Sequence, residues 1–381
     1  MPNGPTSATP PMLRDLNERT VLETIRAHAP ISRAEISRRV GISKPTVSQA
    51  LRSLLDAGLV REAEANGGGL SYGATFFEPV AEAALVLGLD LGARFLRAAI
   101  CDLRGEVRAR QDVDTGGRDA LELLDTAVEL KERLLAASGL EGDAVERVVL
   151  GVPGVIHTGS MRVHLAENVP GLEGRAIGAD LEERLGIRGS VENDVNLAAV
   201  GERWRGVARG VEDFVFLSVG TGLGAGLVLG GELRAGRNGF AGELDFAHAG
   251  GGANDVDPSA PAIAEYAAKT GVRGDIRSIF AAARSGDAPA QAVVDEEARR
   301  IALHITPIAA VADVELVVVG GGIGANGDLL LAPIRERLAD LLPFPPRVEV
   351  SSLGDAAVLT GALGVGLRGA LDSVFANRGR R

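Results

Sequence analysis

The sequence predicts an α/β protein in which a small, mainly helical domain precedes a larger domain of alternating strands and helices. Two observations carry this prediction. Three short amphipathic helical patterns occur before Gly58, and from Leu85 onward apolar strands alternate with helices. A chain of 381 residues is long enough for two or three domains, each with its own core.

The first helix is predicted at residues 15–28. Its apolar residues recur at helical spacing from Leu16 to Ile25, and Pro30 ends the pattern because proline cannot continue the hydrogen-bond ladder. Residues 1–11 are rich in Pro, Ser and Thr and lack the apolar stretch of a signal peptide. We therefore expect a disordered tail there.

Two further helices and a small hairpin complete the N-terminal domain. Ser32 with Glu35 forms a capping-box pattern for the second helix, and Ser43 with Pro45 opens the third, which Gly58 closes. Strands at 59–64 and 74–78 flank a glycine loop at 67–69, which makes a wing. This order is that of a winged helix-turn-helix.

The third helix is the candidate DNA-reading element, because in this motif it lies in the major groove. We expect Gln49 to read a base edge, while the polar residues of the first turn and Arg33 hold phosphates. The candidate DNA-binding residues are Arg33, Ser43, Lys44, Thr46, Ser48, Gln49 and Arg52. The alternative is a small helical dimerisation module whose polar faces are merely solvated.

The charge distribution agrees with a local DNA-binding face. The net charge of −11 excludes a protein that binds nucleic acid over its whole surface, yet residues 12–64 hold nine Arg or Lys against seven acidic residues. No apolar run reaches the roughly 18 residues of a membrane helix, so we predict a cytoplasmic protein. The single cysteine, Cys101, excludes an intramolecular disulfide and is predicted to be a buried core thiol.

The remaining chain is predicted to form two α/β lobes, because glycine-rich turns twice follow a buried strand, as in a duplicated unit. We also allow for a C-terminal helix that returns to the first lobe. The predicted boundaries are a tail at 1–11, the winged helix-turn-helix at 12–78, a linker at 79–84, lobes at 85–192 and 193–370, and a tail at 371–381.

Two segments of the lobes carry candidate chemistry. The turn at 218–226 contains Gly220, Thr221 and Gly222, whose amides and hydroxyl suit a phosphate, although a tight hairpin would use the same glycines. Asn193 and Asp194 stand between a strand and a helix, where an amide beside a carboxylate can hold a polyol or act as a base. The alternative for these two residues is helix N-capping.

Residues 12 to about 370 resemble the ROK family (repressor, open reading frame, kinase) in its transcription-factor branch. The resemblance is carried by the segments 151–154, 192–194 and 199–202. It implies a two-lobed, actin-like, sugar-kinase-like ATPase fold with a sugar cleft, and repressors that bind palindromic DNA operators as dimers or tetramers. It also implies that Asp194 matches the base of the family kinases, and that Asn193 and Glu243 match sugar-binding positions.

The sequence departs from the kinase pattern at several positions. Asp90 and Gly92 belong to the first phosphate loop, but Arg94 follows where kinases resemble Asp-Gly-Gly-Thr, so we expect Asp90, Gly92, Gly220, Thr221 and Gly222 to be vestigial. Phe246 stands where the family's zinc-binding histidine aligns, and residues 250–261 lack cysteine, so no metal and no cofactor are expected. His248 lies near enough to replace that histidine, although a lone histidine is more often structural.

These observations predict a DNA-binding transcriptional regulator, a repressor of carbohydrate-related genes. Its expected partners are a double-stranded DNA operator, a sugar or sugar-derivative effector and other copies of the chain, as a homodimer or tetramer, with no membrane. The expected ligand-binding residues are Asn193, Asp194, Glu243 and His248. Two alternatives remain open: an ATP-dependent sugar kinase with a DNA-binding arm, in which Asp194 would be catalytic, and a DNA-binding protein that needs no ligand.

Overall fold

The computed structural model describes residues 10–63, 74–139, 145–166, 168–246 and 256–378. The N-terminal domain consists of three helices and a small sheet in which β3 lies between β1 and β2, antiparallel to both. Its elements are α1 (Pro10–His28), β1 (Ile31–Ser32), α2 (Arg33–Val40), α3 (Lys44–Asp56), β2 (Val60–Ala63) and β3 (Phe76–Pro79).

The predicted caps account for the helix-turn-helix geometry. The Ser32 hydroxyl accepts a hydrogen bond from the Glu35 amide, and the Ser43 hydroxyl accepts one from the Thr46 amide. Gly41 ends α2 in the left-handed conformation, with a φ of 67°. The turn therefore forms where the sequence predicts it. The wing loop predicted at 67–69 lies outside the described residues.

The first lobe is built on a mixed five-stranded sheet with the strand order β10-β7-β4-β5-β6. One face carries α4 and α5, which enclose a core of leucine, valine and isoleucine side chains. The elements are β4 (Leu85–Leu91), β5 (Phe95–Cys101), β6 (Val107–Asp114), α4 (Ala120–Ser138), β7 (Val145–Val152), β8 (Val155–Ile156), β9 (Val163–His164), α5 (Ile177–Leu185) and β10 (Gly189–Asn193).

The second lobe repeats this topology with the order β13-β12-β11-β14-β15. In both sheets the first strand pairs antiparallel on one side and parallel on the other. The elements are α6 (Asp194–Arg205), β11 (Phe214–Val219), β12 (Leu223–Leu229), β13 (Glu232–Leu233), α7 (Ala260–Lys269), α8 (Ile276–Arg284), α9 (Ala288–Ala312), β14 (Leu316–Gly320), α10 (Gly321–Gly324), α11 (Gly327–Leu341), β15 (Arg347–Val350) and α12 (Ala357–Arg378). The repeated strand order is what a duplicated α/β unit produces.

The long C-terminal helix α12 packs against α6 and against β4 and β7 of the first lobe. Its outer side meets the N-terminal domain, because Leu363, Leu371 and Phe375 belong to the same buried cluster as Leu22 and Ile25 of α1. The N-terminal domain thus shares a hydrophobic core with the first lobe.

Several boundaries differ from those that the sequence predicts. Helix α1 begins at Pro10, inside the tail predicted at 1–11, because proline is tolerated in the first turn of a helix. Helix α12 continues to Arg378 through the tail predicted at 371–381, and Leu371 and Phe375 are buried. The linker predicted at 79–84 is packed as well, since Ala84 is fully buried and the Ala81 carbonyl accepts a hydrogen bond from the Leu103 amide.

Cys101 is a free thiol in the core, as predicted, and burial raises its pKa to about 12. Within the described part of the chain, no helix combines the length and the apolar character needed to cross a bilayer.

Candidate functional site

The candidate DNA-binding face is the exposed side of α3. Val47, Leu51 and Leu54 bury the opposite side, which leaves Lys44, Gln49 and Arg52 in solvent. None of these three side chains has a hydrogen bond or an ion pair within the described part of the chain. Their donors are therefore available for phosphates and base edges.

The remaining predicted contacts in this face are partly engaged. The Ser43 and Thr46 hydroxyls lie 2.8 Å apart and close the first turn of α3. The Ser48 hydroxyl donates to the Lys44 carbonyl at 2.8 Å and accepts from the Arg33 guanidinium at 3.2 Å. Arg33 of α2 thus reaches the second turn of α3.

Sequence reasoning missed two residues beside Gln49. A groove of about 540 Å³ runs between α1 and α3, and Arg14 and Asn17 line it together with Gln49. Arg14 also pairs with Glu18 at 2.9 Å. Arg14 precedes the helix predicted from residue 15, and Asn17 lies within it, but only the packing of α1 against α3 places both beside Gln49.

The candidate ligand site lies where the two lobes meet, at the N-terminus of α6. Asn193 caps this helix: its side-chain oxygen accepts from the Asn196 amide at 2.9 Å, and its amide nitrogen donates to the Gly154 carbonyl at 2.9 Å. Glu192 accepts from the Asn193 amide and from the Asn196 side chain. The capping alternative therefore describes Asn193, whose polar atoms are already engaged.

Asp194 keeps one carboxylate oxygen free for a ligand. One of its oxygens accepts from the Val195 amide at 2.8 Å, and the other has no hydrogen-bond partner among the described residues. Burial, together with the charges of Asp90 and Glu243, raises the pKa of Asp194 to about 7. Since the charges of Asp90 in the first lobe and Glu243 in the second act on Asp194, both carboxylates lie near it. The cleft is therefore acidic.

Glu243 is held in the cleft by an unusual backbone. Gly242 before it has a φ of 101°, and a Cβ at that position would overlap the Ala225 carbonyl oxygen. Burial and the neighbouring Asp245 raise the pKa of Glu243.

His248, the residue predicted to replace the zinc-binding histidine, lies outside the described residues. Phe246 is exposed and contacts the Phe240 ring at 5.2 Å, so residue 246 offers no metal ligand where the family's zinc-binding histidine aligns.

The segment predicted to be a vestigial phosphate loop contains an ion pair. The Asp90 carboxylate is almost fully buried and accepts a hydrogen bond from Arg97 at 2.9 Å. Burial raises the pKa of Asp90 to about 6, although Arg97 opposes this shift. Arg94 is exposed above the Phe95 ring, and the Gly92 amide donates to the Phe95 carbonyl. The Asp90 carboxylate is thus already paired with the Arg97 guanidinium.

The second phosphate loop is a β-hairpin turn. Gly220, Thr221 and Gly222 connect the antiparallel strands β11 and β12, and the Gly220 amide donates to the Gly222 carbonyl at 3.0 Å. Thr221 and Gly222 are exposed. Gly321 packs against this turn: its φ is 81°, and a Cβ there would overlap the Val219 carbonyl. The segment therefore forms the tight hairpin that was the alternative to a phosphate loop, and the tip of this hairpin is exposed.

One motif residue of the resemblance is structural. Glu202 is fully buried and accepts hydrogen bonds from the Val207 amide, the Ser351 hydroxyl and the Leu353 amide. It therefore ties the end of α6 to the loop after β15. Its role in the motif is to fix α6, whose first residue is Asp194.

A duplicated α/β fold, an acidic cleft between its lobes and an N-terminal helix-turn-helix together define a sugar-kinase-like protein with a DNA-binding domain. Residues 86–367 match the ROK family, and residues 14–61 match a winged helix-turn-helix DNA-binding family. The chain belongs to the ROK family, which confirms the resemblance of its motifs.

Relatives of two kinds are similar to this chain. The xylose repressor of Caldicellulosiruptor bescii is 27% identical in an alignment 384 residues long that covers 92% of this chain and 95% of the repressor. The glucokinase of Halalkalibacterium halodurans is 30% identical in an alignment 313 residues long that covers 72% of this chain and 93% of the kinase. The repressor thus aligns with nearly the whole chain.

The crystal structure of a ROK family transcriptional regulator, a homologue of the Escherichia coli MLC protein, shares the fold. It superimposes with a TM-score of 0.78 at 23% identity and covers 96% of this chain and 98% of its own. The arrangement of the helix-turn-helix and the two lobes is therefore found in a solved structure.

Proposed function

We propose that this protein is a transcriptional repressor of carbohydrate-related genes, which binds operator DNA through α3 and a sugar in the cleft at Asp194. The observation that carries the proposal is the exposed side of α3, where Lys44, Gln49 and Arg52 have no partner in the described residues. The similarity to a xylose repressor over 92% of the chain supports the carbohydrate link.

The cleft supports a sugar ligand. The free oxygen of Asp194 and the partly buried Glu243, both on the second lobe, offer acceptors for hydroxyl groups in the cleft. A ligand that contacts both lobes favours one lobe arrangement, and any change there reaches the DNA-binding domain through α12. The repressor is proposed to act as a homodimer or tetramer, so that two such domains engage the halves of an operator.

A kinase is the second candidate, and one observation favours it: a pKa of about 7 suits Asp194 as a general base. Phosphoryl transfer, however, depends on placing the metal and the phosphates. Asp90 is already bonded to Arg97, and Arg94 stands in the same loop. We therefore propose that the protein binds a sugar without phosphorylating it.

Genomic footprinting with the purified protein tests the proposal. We expect protection of a palindromic site upstream of genes for sugar uptake or breakdown, and a change in its affinity when the cognate sugar is added. Binding that shows no site preference would contradict the repressor. A coupled ATP-consumption assay over the same sugars decides against the kinase if no turnover appears, and sugar-dependent turnover abolished by Asp194→Asn would establish it.

A further inference from the structure

A second cavity, of about 620 Å³, lies beside the C-terminal end of α6. Its walls come from α6, the segment after it, the hairpin between β12 and β13, and α12. Trp204 in this wall is ten residues from Asp194, which at 1.5 Å per residue is about 15 Å along the helix. The cavity is therefore separate from the candidate sugar site.

One wall of the cavity carries two arginines. Arg203 and Arg368 are both exposed to it, and within the described residues neither has a hydrogen bond or an ion pair. The Arg203 guanidinium lies over Gly231, where a Cβ would come within 2.5 Å of it. Partial burial and the charge of Arg203 lower the pKa of Arg368, which shows that the two cations are close. A bound anion would relieve their repulsion.

The other walls suit a ligand with hydroxyl groups. Val200, Val228 and the Trp204 ring provide apolar surface, and Glu212 and Glu232 provide carboxylate acceptors on the same rim. Glu232 also pairs with Arg234 at 3.2 Å, which leaves its second oxygen available. A cavity of this volume lies in the usual range for small-molecule sites, which is roughly 300–1,000 Å³.

We propose that this cavity binds a small phosphate monoester that carries hydroxyl groups. Arg203 and Arg368 hold the phosphate, because guanidinium groups match its geometry and remain charged. Glu212 and Glu232 accept from the hydroxyls, and Trp204 packs against the carbon skeleton. The ligand class follows from the two sides of the cavity: two arginines on one side suit a phosphate, and two glutamates on the other suit hydroxyl groups.

The position of the cavity connects it to the DNA-binding domain. Arg368 lies one helical turn before Asp372, which forms an ion pair with Arg19 of α1. Asp372 and Glu23 of α1 also act electrostatically on Arg368. A phosphate bound at Arg368 would therefore alter the charges that hold α1 against α12.

Calorimetric titration of the full-length protein tests the proposal, with glycerol 3-phosphate, glucose 6-phosphate and inorganic phosphate as probes. At least one of the two esters should bind more tightly than inorganic phosphate. The double variant Arg203→Gln/Arg368→Gln should lose about tenfold or more of that affinity, the usual result of removing charge-assisted hydrogen bonds. Both side chains are exposed, so the variant should fold.

Two matched variants make the test specific. Arg188→Gln removes an exposed arginine that has no side-chain partner among the described residues and does not line the cavity, and it should leave binding unchanged. Arg273→Gln, at a second exposed arginine that does not line the cavity, should also leave binding unchanged. Absence of ester binding at millimolar concentrations, equal binding of inorganic phosphate, or full affinity in the double variant would each overturn the proposal.

Discussion

Gln49 and Lys44 are both exposed on α3, yet they are expected to make different contacts with DNA. Gln49→Ala should relax the preference at one operator position, because a glutamine reads base edges by paired hydrogen bonds. Lys44→Ala should weaken binding to every sequence and lower the salt slope by about one unit, because a lysine contacts phosphate. Binding assays over a set of operator variants and salt concentrations measure both effects. Equal losses on specific and random DNA for both variants would contradict the role of Gln49.

Asp194 makes the stability of the protein depend on pH. The folded protein keeps this proton up to a pKa of about 7, whereas the unfolded chain releases it near the ordinary value of 3.8. Asp194 therefore reduces the free energy of unfolding progressively as the pH rises between these two values. The same carboxylate should accept a hydrogen bond from a sugar most strongly above pH 7, where it is ionised.

Asp194→Asn should therefore be more stable than the wild type at pH 8 by roughly 1–2 kcal/mol, a figure reduced for solvent screening in the open cleft. The difference should shrink as the pH falls toward 4. Urea unfolding at several pH values measures it. Asp340→Asn, at an exposed carboxylate, is the control and should show no comparable trend. A stability difference for Asp194→Asn that does not change with pH would contradict the assigned pKa.

The residues of the cleft were only partly predictable from the sequence. Asp194 was found from its place between a strand and a helix and Glu243 from the resemblance to the ROK family, and the structure brings both Glu243 and Asp90 close to Asp194. The bond from Arg97 to Asp90 could not be predicted, because it depends on the antiparallel register that places these two residues opposite each other in β4 and β5. Register is a property of the sheet that one strand's sequence does not contain.

Helix α12 illustrates why some elements are hard to predict. Its glycines at 361, 364, 366 and 369 lower the intrinsic helix propensity, but three of them permit close contact. A Cβ at Gly361 would overlap the Leu197 carbonyl of α6, and a Cβ at Gly366 would overlap Val86 of β4. The short helices α2 and α3 were predictable because their caps are local signals. The reason for the glycines in α12 lies in other elements of the fold.

This packing predicts that a glycine-to-alanine substitution changes the free energy of unfolding in opposite directions at two positions of α12. Gly361→Ala should destabilise the protein by about 2–3 kcal/mol, because the added methyl group meets backbone atoms that cannot move aside. Gly369→Ala should stabilise it by up to about 1 kcal/mol, since its Cβ would have only ordinary contact with the Arg147 side chain at 3.6 Å. Thermal or urea unfolding measures both. Equal changes in the free energy of unfolding at the two positions would show that Gly361 does not pack against the backbone of α6.

At the scale of the whole molecule, the two lobes repeat one topology, and α6 and α12 join them. The N-terminal domain joins the same unit, since Arg19 contacts Phe375 and Arg26 donates to the Leu103 carbonyl at 2.6 Å. The sequence predicted the order of these domains, and the structure adds that the first domain is packed against the last helix.

The shared core between α1 and α12 limits how this protein can be recombined. An exchange of DNA-binding domains between ROK regulators at residues 79–84 would keep the chain continuous but separate α1 from the residues that cover it. Leu363, Leu371 and Phe375 come from the opposite end of the chain. A working chimera would therefore need two grafts, the N-terminal domain and the outer face of the C-terminal helix. The two parts pack together as one unit, although they lie at opposite ends of the sequence.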